Sequence, residues 1–396
     1  MRRRALAAGI ILVAVLTAAA VQSRRPLPAP TGALLLAASH AYGATKKPPW
    51  PATGEAAIGA DGLGLWAASA SPRALPIASL AKVMTALVAL EARPLSPGQG
   101  GGTVTVSAAD AATYQAETSA GQSTVVVRAG EQLTELQLLQ GMLIPSGNNF
   151  AALLADYAAG SVGQMVQRMN LKARTLGLSK THFDDVSGIS TRTVSVPADL
   201  VRLGELALAN PVIAQVVGMA QAVLPVAGVV YNVNYALGRD GILGIKTGSD
   251  PAAGACYLFA ANWTSSSGRS HHLVGAIEGM ATLDGTFAAA QRLLDAARAN
   301  LVVEHLVAAK QKVGTLSAAW GSKAGLLSPD DLSLALWPGE VVRTRLVLKA
   351  NPAPLARGSV VGHLEVSAGP QSVQLPLATS SAIASPSRLW RILRIA

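Results

Sequence analysis

The stretch LPIASLAKVMTALVALE, residues 75–91, constrains this chain more than any other. Leu80, Val83, Met84, Leu87, Val88 and Leu90 wrap most of the way round a helical period. A helix entered after Pro76 therefore has little polar face to offer water and belongs inside a core. Yet it carries Lys82, one turn after Ser79. A buried ammonium is costly unless it is paired or loses its proton. Residues three apart share a helix face, so the Ser79 hydroxyl and the Lys82 amine can meet. Serine becomes a nucleophile when a base takes its proton, and a lysine can be that base if burial or a nearby cation lowers its pKa. One Ser-x-x-Lys is expected on the order of once by chance in a chain this long, so the pair alone is a weak signal.

Two other stretches give it company. IPSGNNF places Ser146-Gly147-Asn148 between a helix ending near Ile144 and another beginning near Asn149. Read alone, such small polar residues are a helix cap. GIKTGSDPAAG puts Lys246-Thr247-Gly248 at the end of an apolar strand. A charge followed by glycine suits an edge where a ligand approaches the backbone; an exposed strand end with a turn at Ser249-Asp250-Pro251 is the alternative. Other candidates are weaker. His271 and His272 are adjacent on a strand and point to opposite faces, and the remaining histidines are scattered, so neither a metal nor any other cofactor is expected. Asp184-Asp185 read as turn and cap residues, and Cys256 as core.

Composition sets the surroundings. Of 396 residues, 50% are hydrophobic and 14% charged, which argues against disorder and leaves room for two or three domains. The net charge of +10 has no basic run interleaved with aromatics, so nucleic acid is not expected. Much of the excess lies at the ends, at Arg2, Arg3, Arg4, Arg24, Arg25, Lys46 and Lys47, then Arg388, Arg391 and Arg394, which suits an anionic membrane surface. Residues 1–25 join a basic start to an apolar run with Ala18 and Ala20 as an A-x-A-like site: an export signal, or an uncleaved membrane anchor. Either way the rest of the chain lies outside the cytoplasm. The single Cys256 excludes an internal disulfide.

Residues 26–52, rich in Pro, Ala and charge, read as a linker. Residues 53–300 alternate strand-like ends with a helical middle, interrupted by a polar stretch near 100–124. That predicts an α+β catalytic domain with an antiparallel sheet assembled from both ends and flanked by helices. Residues 305–380 alternate at period two between Pro/Gly turns, a small all-β domain. Residues 384–396 set Arg388, Arg391 and Arg394 on one side of a helix and Leu389, Trp390, Ile392, Leu393 and Ala396 on the other. This is either an interfacial membrane helix or a packed C-terminal one. No internal repeat is seen, and the oligomeric state stays open.

Ser-x-x-Lys, Ser-x-Asn and Lys-Thr-Gly in this order form the signature set of serine penicillin-recognising enzymes. With PIASLAKVMTALVALE, LLQGMLIPSGNNFAALLA, MNLKARTLGLSKTHFDD, NYALGRDGILGIKTGSDPAAGAC and the GSVVGHLEV…VQLPL ending, the chain resembles the low-molecular-mass penicillin-binding proteins, the serine D-alanyl-D-alanine carboxypeptidases. The resemblance covers about residues 53–380. It implies the β-lactamase/penicillin-binding-protein transpeptidase fold, a peptidoglycan stem peptide as substrate, covalent binding of β-lactams, and membrane attachment on the outer face of the cell membrane through the C-terminal helix.

The resemblance also implies roles. Ser79 attacks the penultimate D-Ala carbonyl and Lys82 takes its proton. The amides of Ser79 and Ser249 hold the oxyanion, and Ser146 relays a proton to the leaving amine. Asn148 holds the peptide amide, and Lys246 and Thr247, beside Gly248, meet the terminal carboxylate, with Lys246 helping to keep Lys82 neutral. Two departures stand out: Ala81 replaces a threonine common in the first motif, and alignment puts His272, with Arg269 nearby but out of register, where relatives carry a carboxylate-binding arginine. A β-lactamase is disfavoured by Gly147 and by the lack of a Glu-x-x-Leu-Asn segment. A D,D-endopeptidase on the same scaffold stays open, and an inert wall-binding protein would not need Ser79, Lys82, Ser146 and Lys246 intact.

Overall fold

Strands from both ends of the segment 46–302 pair into one five-stranded antiparallel sheet, in the order Ile242–Asp250, Gly254–Thr264, Ser270–Met280, Glu55–Ala60, Gly64–Ala68. The computed structural model describes residues 2–69, 74–265, 268–350 and 353–394. Alternation along the second strand decides what covers each face. Tyr257 meets the ring of Phe287 edge-on at 5.0 Å, on helix Leu283–Asn300. Its neighbour Leu258 lies under Gly204 of helix Pro197–Ala209, where a Cβ would come within 2.9 Å of the leucine side chain. The two helices thus cover opposite faces, and the glycine sets how close one of them comes.

Helix Ala81–Ala92 runs through the helical part of this unit. Every residue from Ala81 to Leu90 is buried, Lys82 among them. It packs against helices Glu135–Leu143, Asn148–Ala159 and Val162–Thr175. Burying each of its large apolar side chains contributes about 1.5–3 kcal/mol. The fold is the expected α+β arrangement of an antiparallel sheet flanked by helices. Within the polar stretch near 100–124, however, helix Ala108–Ser119 forms. Ser107 and Asp110 close a reciprocal capping box at its start, and none of its residues is buried. A helix held by its cap rather than by an apolar face leaves little hydrophobic periodicity to read.

Residues 1–45 and 303–396 cluster as a second unit. Its seven-stranded antiparallel sheet runs Thr31–Leu34, Lys312–Ser317, Lys323–Leu327, Gln371–Thr379, Val360–Ala368, Glu340–Leu348, Ser39–Tyr42. Leu326, Leu364, Val366, Leu377 and Ile383 form part of its core. The linker expected over 26–52 is corrected here, because two of its short segments are the outer strands of this sheet. Four-residue edge strands, mostly exposed, show no clean alternation, and their partners lie far away in sequence. At the chain ends, the apolar helix spans Arg2–Arg24. The C-terminal helix is shorter than the expected 384–396: it spans Arg388–Leu393, capped by Ser387, and Ala396 lies outside the described residues.

Candidate active site

The three motifs converge on one amine. Ser79 sits in a single 3-10 turn, Ala78–Leu80, immediately before helix Ala81–Ala92. Lys82, one turn on, is fully buried, and its Nζ lies 2.8 Å from Ser79 Oγ, 3.4 Å from Ser146 Oγ and 2.6 Å from Asn148 Oδ1. The second motif forms the turn into helix Asn148–Ala159, with Gly147 at the cap position. Ser146 has a φ of 69°, a left-handed conformation rare for a residue with a Cβ, and the strain directs its hydroxyl to the amine. The third motif lies on strand Ile242–Asp250, which packs against the Ser79 turn. A Cβ on Gly248 would stand 2.9 Å from the Ser79 amide nitrogen. Glycine there lets the sheet edge approach Ser79.

Ala78, with a φ of 44°, is a second strained residue. Gly188 faces it: a Cβ at that position would lie 1.7 Å from the Ala78 carbonyl oxygen. The loop carrying Gly188 is organised by Asp185. That carboxylate accepts from the amides of Ser187, Gly188, Ile189 and Ser190 and from the Thr193 hydroxyl. Burial pushes the Asp185 carboxyl up, but these hydrogen bonds outweigh it and hold the group below its usual value. The loop's product is the Ser187 carbonyl, 3.2 Å from Lys82 Nζ. Read from sequence as a turn residue, Asp185 is the support of the site. Its neighbour Asp184 pairs with exposed Arg192.

Electrostatics favour a neutral Lys82 amine. Burial drives the Lys82 ammonium well below its ordinary pKa, and the positive charge of Lys246 adds to this, while Asp185 and Glu117 pull the other way. Lys246, also buried, is lowered by burial to about 7 and donates to the Thr247 carbonyl at 2.9 Å. Thr247 is buried, whereas Ser249 is exposed at the end of the motif. Two residues missed by sequence reading complete the surroundings. Gln122 Oε1 accepts from Asn148 Nδ2 at 2.9 Å, and Glu117, on helix Ala108–Ser119, places its charge within reach of Lys82. Both lie in the polar stretch that carried no pattern.

His272 is not at the site. The strand register sets Lys246 against Leu258, and Leu258 against Ala276; His272 pairs with Asn262, beyond the start of the Lys246 strand. Four residues of strand separate it from that row, about 13 Å. His271 and His272 both approach the Asp61 carboxylate at the hairpin turn, at 3.5 and 3.3 Å. The alignment slipped because the hairpin between the last two strands has no fixed length in the sequence pattern.

Comparison with known proteins gives the family, and one relative, 30% identical over 191 residues, is a D-alanyl-D-alanine endopeptidase of Escherichia coli covering 46% of this chain and 58% of that protein. The family described as D-alanyl-D-alanine carboxypeptidase matches residues 65–268. D-alanyl-D-alanine carboxypeptidase DacB2 of Mycobacterium tuberculosis is 36% identical over 193 residues, covering 47% of this chain and 62% of that protein. D-alanyl-D-alanine carboxypeptidase of Streptomyces sp. strain K15 is 33% identical over 252 residues, covering 58% of this chain and 84% of that protein. In fold, penicillin-binding protein 5 of Haemophilus influenzae aligns over 86% of this chain and all of its own length, with a TM-score of 0.62 and 21% identity.

Proposed function

The chain belongs to the D-alanyl-D-alanine carboxypeptidase family, and from that premise we propose that Ser79 is its nucleophile and Lys82 its general base. It is a serine hydrolase that removes the terminal D-Ala from peptidoglycan stem peptides. The carrying observation is Lys82 Nζ at 2.8 Å from Ser79 Oγ, inside a core that disfavours its charged form. A neutral amine has two N–H groups and one lone pair. Asn148 Oδ1 and the Ser187 carbonyl accept the two N–H groups, which leaves the lone pair to the Ser79 O–H.

Ser79 Oγ then attacks the carbonyl carbon of the penultimate D-Ala while its proton passes to Lys82. The tetrahedral oxyanion is held by the backbone N–H groups of Ser79 and Ser249. Collapse breaks the C–N bond, and the departing D-Ala amine receives the proton from Lys82 through Ser146 Oγ. Asn148 orients the substrate amide, and Lys246 and Thr247 bind its carboxylate. Water, deprotonated by Lys82, hydrolyses the Ser79 ester and releases the shortened peptide. A β-lactam enters the same path, but its leaving nitrogen stays tethered and the ester persists. The catalytic machinery is assigned to residues 46–302. On this reading the chain works outside the cytoplasm, where the peptidoglycan lies, and its C-terminal helix, with Arg388, Arg391 and Arg394, lies at the membrane surface.

Intact mass after exposure to a β-lactam tests this. The wild type should gain one ligand mass and Ser79→Ala none. Stoichiometric labelling of a folded Ser79→Ala variant would remove Ser79 from the mechanism.

A further inference from the structure

The N-terminal helix ends in an arrangement that export alone does not need. Leu6–Arg24 is 19 residues long and is not buried anywhere along its length; Leu6, Ile10, Ile11, Val13 and Leu16 are all exposed. At 1.5 Å per residue it reaches about 28 Å, close to the thickness of a bilayer's hydrocarbon core. By length and composition it is able to cross a bilayer.

The last carbonyls of a helix lack an i+4 partner, although Gln22 O here also accepts from the Arg25 amide at 3.4 Å. The chain's other end supplies donors to two of them, Gln22 and Ser23, and to the carbonyls of Arg25 and Pro26 just beyond the helix. Arg394 donates to the carbonyl oxygens of Gln22 at 3.4 Å, Arg25 at 2.8 Å and Pro26 at 3.0 Å, and Arg391 donates to that of Ser23 at 3.3 Å. In return Gln22 Nε2 donates to the Arg394 carbonyl at 2.6 Å. Two cations thus sit at the negative end of the helix dipole. Trp390 fixes the clamp to the β unit. Its ring packs against Trp320 at 5.4 Å and carries the Arg394 guanidinium at 5.6 Å, while Trp320 Nε1 donates to the Ala384 carbonyl. Just beyond the helix, Thr31–Leu34 and Ser39–Tyr42 are hydrogen-bonded into the same unit's sheet.

We propose that the apolar N-terminal helix stays on the mature protein as a bilayer-spanning anchor, and that the C-terminal helix docks on its outer end, so that both chain termini form one membrane attachment. Cleavage after Ala20 would leave a stub too short to hold a helix, and the carbonyls that the arginines cap would lose their arrangement. The basic start, Arg2 to Arg4, would keep its end cytoplasmic.

The proposal rests on the extracytoplasmic reading above, and its test separates the two. The full chain is expressed in a bacterium, and its mass is measured from alkali-washed membranes. The full-length mass is expected; a mass short by residues 1 to about 20–23 would overturn retention. A chain ending at Pro386 should still sediment with washed membranes, and its release would show that the C-terminal helix alone anchors the protein. In detergent, Arg394→Gln should speed tryptic cleavage after Arg391 by about tenfold or more, since local opening sets such rates; equal rates would overturn the docking. Labelling of intact spheroplasts by a membrane-impermeant β-lactam reads the location independently, so a wrong location is told apart from a wrong anchor.

Discussion

Replacing Lys246 by methionine should make this protein more stable and less active, and the size of the gain follows from its burial. Lys246 is 1% exposed, and burial lowers its pKa from 10.5 to about 7. A depressed pKa means that the unfolded chain takes up the proton first. The stability available above pH 10.5 is therefore lost progressively as pH falls towards 7. Each pH unit in that window removes about 1.4 kcal/mol, so at pH 7 the buried amine costs about 4 kcal/mol. Methionine fills similar space without the charge, but it forfeits the hydrogen bond to the Thr247 carbonyl, about 1 kcal/mol. The net gain is about 3 kcal/mol at pH 7, which in a unit of this size raises Tm by roughly 6–12 °C. At pH 9 the lysine's cost has fallen to about 2 kcal/mol and the gain to about 1. Thermal unfolding of wild type and Lys246→Met at pH 6, 7 and 9 measures this directly. A variant no more stable at pH 7, or a gain that does not shrink towards pH 9, would refute the reasoning. The variant should at the same time lose about a hundredfold in kcat/KM on a D-Ala-D-Ala peptide, the worth of a charged contact to the substrate carboxylate.

Other perturbations probe the neighbouring parts. Lys82→Met should fold, gain stability at neutral pH for the same reason, and acylate about 10²–10⁴-fold more slowly; unchanged acylation by stopped-flow would reduce Lys82 to packing. Gly188→Ala, at a φ of +86° and with its Cβ driven onto the Ala78 carbonyl, should displace the Ser79 turn and slow β-lactam labelling at least tenfold, an effect of about 1.4 kcal/mol or more; wild-type labelling by this variant would show that the contact is not needed. Glu278 is buried with no hydrogen-bond partner for its carboxylate oxygens among the described residues, and burial, then the charges of Glu55 and Asp199, raise its pKa well above normal. Stability that is complete below the unfolded value near 4.5 is therefore lost as pH rises through the folded one. Glu278→Gln should leave Tm nearly unchanged at pH 4.5 and raise it progressively at higher pH; parallel curves for the two proteins would contradict this.

Reading outward from Ser79 and Lys82, the sequence by itself marked the buried helix, brought the proposed nucleophile and base together on it, and pointed to the family's chemistry. An apolar helix that carries a lysine has few physical explanations, and the spacing of three puts the two groups together locally. Ser146 and Lys246 were legible as motifs, and the paired strands as alternation. What only the tertiary structure decided is long-range or aperiodic. Asp185, Gln122 and Gly188 act through loops whose residues, taken alone, look like ordinary turns; their role exists only because folding brings them against Ala78, Asn148 and Lys82. His272 was misplaced because strand register depends on hairpin length, which side-chain type does not encode. The strands at 31–34 and 39–42 escaped for the same reason, since their pairing is set by partners nearly three hundred residues away. Local periodicity records which side chains face a core; it does not record which distant backbone completes the sheet, or which loop closes over a buried amine.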